Sequence, residues 1–152
     1  SLGHGLSVAA GFALAAKMNK QDYITYVILG DGECGEGSVW EAISLAPHLK
    51  LSNLVAIIDR NSLCIHGDTE LIYPLEPLDQ RLRSFGWNVL DIDGHNLKEI
   101  SDSLQNLHSS KPTAIIANTV KGKGVSFMEN KSNWHHGAIT DEILERALQE
   151  IG

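Results

Sequence analysis

The sequence predicts an α/β protein in three layers, built on a doubly wound and mostly parallel sheet. Strand-like and helix-like segments alternate along the chain. The strand-like segments are short, continuous apolar runs, which are typical of strands that are buried on both faces. The chain has 152 residues and contains no internal repeat, low-complexity tract or interdomain linker. We therefore expect a single domain over residues 1–152.

Two helices and two strands are expected in the first part of the chain. Small apolar residues at helical spacing predict a helix from Leu6 to Met18. The β-rich run from Ile24 to Leu29 predicts a buried strand. A second helix is expected from Ser38 to Leu49, with Ser38 as its N-cap and Glu41 completing a capping box. The apolar run from Leu54 to Ile58 predicts the next strand.

The second part of the chain repeats this alternation after a loop. No periodicity marks residues Ser62 to Glu76, which are expected to form that loop. Pro77 suits a first helical position, so a helix should run from Leu78 to Phe85 and stop at Gly86. Strands are expected at Trp87 to Ile92 and Thr113 to Ala117, with a helix from Leu97 to Leu107 between them. A polar loop should follow from Asn118 to Gly137, and a terminal helix from Asp141 to Ile151.

Charge and cysteine content exclude several classes of protein. Lys and Arg number 12 and Asp and Glu number 19, which gives a formal net charge of −7. This balance argues against a partner that is a nucleic acid or an anionic membrane surface. The sequence contains no run of about 18 apolar residues, so it predicts no membrane-spanning helix. Two cysteines without a paired spacing favour a reducing, cytoplasmic setting. Because the chain opens without Met inside a helical pattern, we expect it to be N-terminally truncated.

The segment Gly30 to Gly35 matches the pattern G-x-G-x-x-G between a predicted strand and a predicted helix. Such a match alone is a weak signal for a dinucleotide site. The pattern brings a pyrophosphate to the helix N-terminus, where backbone N–H groups favour an anion. Asp31, Glu33 and Glu36 would repel that anion unless a divalent cation lay between them. The charges therefore favour a metal-bridged diphosphate over a dinucleotide.

A hard metal would need further oxygen ligands at the same edge of the sheet. Gly30 and Gly32 would let the backbone approach the diphosphate while Asp31 holds the metal. The end of the next strand offers Asn61, with Asp59 beside it. The alternative is purely structural: a tight strand-to-helix turn that requires glycine, and an asparagine that forms a turn. The residues alone leave both interpretations open.

The spacing of these residues carries a resemblance to a known family. Gly30-Asp31-Gly32 is followed by 28 residues and then Asn61, which resembles the thiamine-diphosphate motif that begins GDG and ends at Asn. Flanking segments resemble the N-terminal half of transketolase, and most closely its separately encoded N-terminal subunits. The resemblance covers essentially the whole chain. Its segments, in family order, are Ser1-Leu2-Gly3-His4-Gly5-Leu6-Ser7, Glu36-Gly37-Ser38-Val39-Trp40-Glu41-Ala42, Lys121-Gly122-Lys123-Gly124-Val125 and Trp134-His135.

The resemblance implies thiamine diphosphate and Mg²⁺ as cofactors, with Ca²⁺ as a possible substitute. Asp31 and the side chain of Asn61 would ligate the metal, and the carbonyl of Leu63 would add a backbone ligand. Gly32 would donate its N–H to the diphosphate, Leu2 would pack against the aminopyrimidine, and Lys121 would lie nearby. The full set of cofactor-binding residues expected from the family is Leu2, Gly30, Asp31, Gly32, Glu33, Asn61 and Lys121.

The same resemblance implies catalytic residues. His135 matches an active-site histidine that hydrogen-bonds the substrate and helps to move protons, although a shift of one residue would assign this role to His136. Glu36 and Glu41 match acidic residues of a proton-linked network at the subunit interface. Further histidines are expected to be either weaker candidates (His66 and His4) or surface and structural residues (His48, His95 and His108).

Three other side chains receive simpler interpretations. Cys34 stands at a helix start, a position that can lower the pKa of a thiol. The family does not require a thiol there, so Cys34 is expected to be incidental. Trp40 and Trp87 are expected to pack in the core or at an interface.

The implied function is transfer of a two-carbon ketol unit from a ketose phosphate to an aldose phosphate. In the family, a partner domain supplies a glutamate that activates the aminopyrimidine, and a further histidine lies upstream of the segment matched here. The chain is therefore expected to act with a C-terminal transketolase subunit, in a homo- or hetero-oligomer. Two alternatives are another thiamine-diphosphate reaction, such as deoxyxylulose-phosphate synthesis or 2-oxoacid decarboxylation, and a non-catalytic interaction module.

Overall fold

The computed structural model describes residues 2–107 and 110–152, so that Ser1 and His108 lie outside the described residues. Helices are formed by α1 (Gly5–Met18), α2 (Gly37–His48), α3 (Thr69–Ile72), α4 (Leu78–Ser84), α5 (Leu97–Gln105) and α6 (Asp141–Ile151). Strands are formed by β1 (Thr25–Gly30), β2 (Leu54–Arg60), β3 (Leu63–Cys64), β4 (Gly67–Asp68), β5 (Asn88–Asp93) and β6 (Thr113–Asn118). Short 3₁₀ helices are formed by Gly32–Gly35 and Ser132–Trp134.

Four of these strands form one parallel sheet in the order β1-β2-β6-β5, which confirms the predicted α/β class. The register pairs Gly30 with Asp59, and it pairs Arg60 and Asp93 with Asn118 on either side. The four strands therefore end at the same edge of the sheet. Ligands of open α/β sheets bind at this carboxyl edge. The segments that follow β1, β2 and β6 meet there.

The core lies between the sheet and the helices that pack on it. Small side chains let α1 approach the sheet closely, since Ala13 and Ala16 are fully buried. Trp87 is 3% exposed, and its indole Nε1–H donates to the carbonyl of Ile43 at 2.8 Å. This confirms that Trp87 packs in the core, where its one polar atom is satisfied. Large core side chains that are less than 2% exposed include Leu6, Leu29, Ile43, Leu51, Leu54, Ile58, Leu75, Leu78, Leu82 and Ile115.

The N-terminus of α2 differs from the prediction. Its N-cap is Glu36, and Ser38 already lies inside the first turn. The hydroxyl of Ser38 donates to the carbonyl of Gly3 at 2.9 Å, so it ties the helix to the segment before α1. The expected capping box of Ser38 and Glu41 was therefore wrong, because tertiary contact with Gly3 claims the hydroxyl.

The segment predicted as a loop contains regular structure. β3 and β4 form a two-residue antiparallel hairpin, and α3 follows with Asp68 as its N-cap, accepting from Glu70 N–H at 2.7 Å. Pro77 is the N-cap of α4 and not its first residue. The strand β2 also continues past Ile58 to Arg60, since Arg60 pairs with Asn118. These elements are too short or too polar to produce a periodic signal.

Candidate cofactor site

Asp31 is the centre of the site. It follows β1 directly, and it is 1% exposed. Its Oδ1 accepts from the N–H of Gly32 at 2.7 Å. Its Oδ2 accepts from the N–H of Ser62 at 2.6 Å and from Nη1 of Arg60 at 3.0 Å. One carboxylate thus joins the end of β1 to the turn that follows β2.

The amide of Asn61 is oriented by its neighbours. Its Nδ2 donates to Oδ2 of Asp59 at 3.0 Å, and its Oδ1 accepts from the N–H of Leu63 at 3.0 Å. The other oxygen of Asp59 accepts from the hydroxyl of Thr119, which follows β6. The amide nitrogen of Asn61 is used by Asp59, so the second lone pair of Asn61 Oδ1 is the acceptor that remains for a metal. The side chain of Asn61 is therefore held directly by residues of β2 and β3, and through Asp59 by the residue that follows β6.

The available donors are suited to a hard cation. Asp31 offers a carboxylate, Asn61 an amide oxygen and Leu63 a backbone carbonyl. Ser62, which stands between Asn61 and Leu63 in the sequence, donates its N–H to Asp31. In residues 2–107 and 110–152, no group of three or more His, Cys, Asp or Glu is placed to hold a metal ion. A metal here would thus depend on mixed oxygen ligands, which suit Mg²⁺ or Ca²⁺ and not Zn²⁺. The donor set fits the metal implied by the sequence.

The glycine-rich turn is built around Glu33 and Gly32. Both carboxylate oxygens of Glu33 accept backbone N–H groups, from Gly3 at 2.9 Å and from Gly30 at 3.2 Å. In this structure Glu33 thus holds the turn against the segment that precedes α1. A Cβ at Gly32 would lie 2.9 Å from Cβ of Cys64, so only glycine fits between the turn and β3.

The residues before α1 lie beside the start of α2. Leu2 is 62% exposed, so its side chain is accessible to a ligand or to another protein surface. Gly3 has a φ of +79°, and a Cβ there would lie 2.7 Å from Cβ of Glu36. Glu36 and Glu41 are exposed at and after the helix N-terminus, where an interface residue would be accessible.

Lys121 lies in the loop that follows β6. Its side chain is half-buried, and its carbonyl accepts from the N–H of Asn130 at 3.0 Å. The segment that follows β5 also holds this loop, because Nε2 of His95 accepts from the N–H of Val120 at 2.8 Å. His95 therefore has a structural role, as expected. The loop lies at the same sheet edge as Asp31 and Asn61.

His135 and His136 are both exposed, and they follow the 3₁₀ helix Ser132–Trp134. The preceding Trp134 is anchored, since its Nε1–H donates to the carbonyl of Phe127 at 3.0 Å and the two rings stack edge to face. The described hydrogen bonds of Asp31, Asp59 and Asn61 do not include either histidine. His66 is exposed in the turn between β3 and β4, and His4 is exposed at the start of α1.

Cys34 lies in the core and not on the surface of the site. The side chain is fully buried, and desolvation, reinforced by the nearby charge of Asp31, raises the pKa of the thiol to about 12. A helix start can lower the pKa of a thiol, and burial opposes that effect more strongly here. The thiol also donates to the carbonyl of Gly30 at 3.6 Å. Cys34 is a packing residue of the turn.

We expect the two thiols to react at very different rates. At pH 8 a disulfide reagent should modify the half-buried Cys64 and leave Cys34 intact until the chain is unfolded. The unfolded thiol ionises near pH 9 and the folded thiol near pH 12, so the folded state loses stability as the pH rises between these values. Thiol counting before and after addition of urea tests this. Rapid labelling of Cys34 in a Cys64→Ala variant would contradict it.

Arg60 was not singled out by the sequence analysis. It is 6% exposed, and it contacts Asp31, Thr69, Glu70 and Glu76. The sequence feature that could have indicated Arg60 is a charged residue between Asp59 and Asn61, at the end of an apolar strand. Charged side chains are almost never fully buried unless they are paired.

Comparison with known proteins gives a consistent result. The family model described as "Transketolase, thiamine diphosphate binding domain" matches residues 1–152. A subunit of apulose-4-phosphate transketolase from Phocaeicola vulgatus is 50% identical over 153 residues, which cover 99% of this chain and 54% of that protein. The 6-deoxy-6-sulfo-D-fructose transketolase subunit SqwG of a Clostridium species is 44% identical, with 99% and 56% covered.

Solved structures agree with these matches. A transketolase structure from Campylobacter jejuni superimposes with a TM-score of 0.93 at 35% sequence identity, covering 99% of this chain and 25% of that one. The chain thus spans about half the length of the two relatives it matches, and about a quarter of the C. jejuni transketolase.

Proposed function

The chain belongs to the family of transketolase thiamine-diphosphate-binding domains, and we propose that it is the cofactor-binding, N-terminal half of a two-chain transketolase. The observation that carries this proposal is the bridge from Asp31 to the Ser62 N–H, which brings the carboxylate beside Asn61 and Leu63. Two relatives that span the whole chain are named as subunits of transketolases. These names support a function that is shared with a second chain.

Mg²⁺ would be held by Asp31, Asn61 and the carbonyl of Leu63, together with oxygens of the diphosphate. When bound, thiamine diphosphate supplies the carbon nucleophile that cleaves and forms the carbon–carbon bond of the sugar. Gly32, whose N–H donates to Oδ1 of Asp31 in this structure, would redirect that N–H to the diphosphate when the cofactor binds. Leu2 would cover the aminopyrimidine, and Lys121 would add a positive charge from the loop after β6. The metal is required because Asp31 would otherwise repel the diphosphate.

The partner is proposed to be a C-terminal transketolase subunit. The cavity beside Asp31 measures about 40 Å³, which has room for a water molecule but not for a cofactor. A bound cofactor would therefore extend beyond this cavity, over a surface that a partner subunit would cover. Leu2 is exposed at this end of the molecule, and Glu36 and Glu41 are accessible for an interface between subunits. The assembly would be a hetero-oligomer with the cofactor between subunits.

The substrates are proposed to be a ketose and an aldose that carry anionic groups. The names of the two relatives specify a sugar phosphate in one case and a sulfo sugar in the other. Lys121 and Lys123 stand in a loop at the sheet edge, in a chain whose net charge is −7. His135 would hydrogen-bond the sugar and move a proton at its hydroxyl groups, since neutral imidazole both donates and accepts. The immobilised Trp134 would hold His135 in place.

A cytoplasmic setting is proposed for this enzyme. In the part of the chain that the structure describes, no helix has the length and apolar character needed to span a bilayer. The two cysteines, Cys34 and Cys64, are free. Free thiols are typical of a reducing compartment.

The role of His135 can be tested in the reconstituted two-chain enzyme. We expect His135→Asn to lower kcat about a hundredfold, in line with the loss of a proton-transfer group. The same substitution at His136 serves as the matched control and should change kcat less than about threefold, because His136 is assigned no contact with substrate. Transfer from a panel of ketose phosphates to an aldose phosphate is measured by mass spectrometry of the products. A larger loss in His136→Asn would move the role to His136, and equal, small losses in both would contradict a catalytic histidine here.

A further inference from the structure

Every N–H donor of the Arg60 guanidinium has an acceptor within hydrogen-bond distance. A guanidinium group carries five N–H donors in a rigid fork. Nη1 donates to Oδ2 of Asp31 at 3.0 Å and to the hydroxyl of Thr69 at 2.7 Å. Nη2 donates to Oε1 of Glu70 at 2.7 Å and to Oε1 of Glu76 at 3.1 Å, and Nε donates to Glu76 at 3.2 Å. All five donors are used, so the orientation of the fork is fixed.

The acceptors of Arg60 are themselves held by the backbone. Oε1 of Glu70 also accepts from the N–H of Leu75 at 3.0 Å, and its Oε2 accepts from the N–H of Glu76 at 3.3 Å. Oε2 of Glu76 accepts from the N–H of Leu78 at 3.0 Å. The segment from α3 to α4 thus forms a frame for the guanidinium. The position of the guanidinium is therefore fixed by these residues.

The two carboxylate oxygens of Asp31 accept different numbers of hydrogen bonds. Oδ2 accepts two hydrogen bonds, from Arg60 and from Ser62, which occupy its two lone pairs. Oδ1 accepts one, from the N–H of Gly32, and keeps one lone pair. Oδ1 is therefore the oxygen that remains for a metal. An immobile Oδ2 determines where that lone pair points.

We propose that Arg60 is a positioning residue for the metal site: it holds Oδ2 of Asp31 so that Oδ1 is presented to the cation. This inference rests on the proposed function, because it assumes a metal at Asp31. Mg²⁺ requires near-ideal octahedral geometry, whereas Ca²⁺ accepts flexible and irregular geometry. A fixed carboxylate therefore matters more for Mg²⁺ than for Ca²⁺. The contact with Arg60 would therefore favour the smaller ion more than the larger one.

If Arg60 positions Asp31, replacing Arg60 should lower the metal affinity, whereas a simple charge effect would raise it. Arg60 is a cation close to the proposed metal, so removing its charge alone should strengthen binding of either cation. Loss of positioning should weaken binding, and should weaken Mg²⁺ binding more. A merely structural role would lower both affinities by the same factor. The ratio of the two affinities therefore separates these explanations.

The experiment compares Arg60→Met with wild type in the complex with the C-terminal subunit. Mg²⁺ and Ca²⁺ are titrated calorimetrically at saturating thiamine diphosphate. We expect the Mg²⁺ affinity to fall at least tenfold and the Ca²⁺ affinity to fall about threefold or less. Arg81→Met is the matched control, since Arg81 donates to the carbonyls of Pro74 and Glu76 in the same segment. It should change both affinities less than twofold.

A second variant keeps the test decisive if Arg60→Met does not fold, as judged by circular dichroism. Arg60→Lys retains the charge but has three donors on one atom, so it cannot reproduce the fork. It should lower the ratio of Mg²⁺ to Ca²⁺ affinity at least threefold. Unchanged or tighter Mg²⁺ binding, or an equal loss for both ions, would overturn the proposal. If wild type bound neither ion with thiamine diphosphate, the proposed function itself would fail.

Discussion

Replacing Asp31 with alanine is expected to weaken Mg²⁺-dependent binding of thiamine diphosphate at least about a hundredfold, since changes to groups that only support metal ligands already cost 10–100-fold. The carboxylate is the one charged ligand among the three that the site offers. Its loss would also remove the bridge from the end of β1 to Ser62, so the two strand ends would no longer be joined. Calorimetric titration of the cofactor with and without Mg²⁺ measures the effect.

The control for this variant is Asp22→Ala. Asp22 is an exposed carboxylate in the loop between α1 and β1, so its removal changes the net charge equally without touching the site. Asp22→Ala should bind the cofactor as wild type does. Thermal unfolding of both variants shows whether the fold persists. A folded Asp31→Ala variant that retains Mg²⁺-dependent binding would exclude Asp31 as a metal ligand.

Trp87→Ala is expected to lower the free energy of unfolding by about 3–5 kcal/mol, the usual cost of removing a large buried aromatic side chain. Trp87 is 3% exposed, so truncation would leave a cavity between β5 and α2. It would also leave the carbonyl of Ile43 without the indole donor. Urea unfolding followed by circular dichroism gives this difference.

Phe85→Ala provides the comparison for Trp87→Ala. Phe85 lies two residues earlier, but it is 40% exposed and packs only against Trp40 at a ring-centroid distance of 6.1 Å among its described ring contacts. Its loss should cost about 1 kcal/mol, as is usual for partly exposed positions. Equal losses in the two variants would contradict the assignment of Trp87 to the core.

The alternation of elements was readable because each main strand is a compact apolar run. β1, β2 and β6 each follow or precede a helix of clear amphipathic or small-residue pattern, and the predicted bounds agree to within a few residues. The hairpin of β3 and β4 was missed, since two-residue strands cannot show an alternation of period two. Ser38 illustrates a second cause, because its hydroxyl bonds to Gly3, 35 positions earlier.

The site was predicted where the sequence contains a spaced motif. Asp31 and Asn61 lie at the same sheet edge, and the register of β1 with β2 explains why their separation along the chain brings them together. Arg60 was not predicted, because its role depends on Glu70 and Glu76, which lie in a segment without periodicity. The raised pKa of Cys34 could not be predicted from the sequence for a related reason. Sequence position places a thiol near a helix start, but only packing decides whether water reaches it.

The measurement that tests the central claim most directly is a calorimetric titration of thiamine diphosphate into the chain, alone and with a C-terminal transketolase subunit, each with and without Mg²⁺. We predict saturable binding that requires Mg²⁺ and is much tighter when the second subunit is present, because the cavity beside Asp31 is too small to enclose the cofactor. The absence of binding under all four conditions, with both proteins shown to be folded, would contradict the assignment of this chain as the cofactor-binding half of a transketolase.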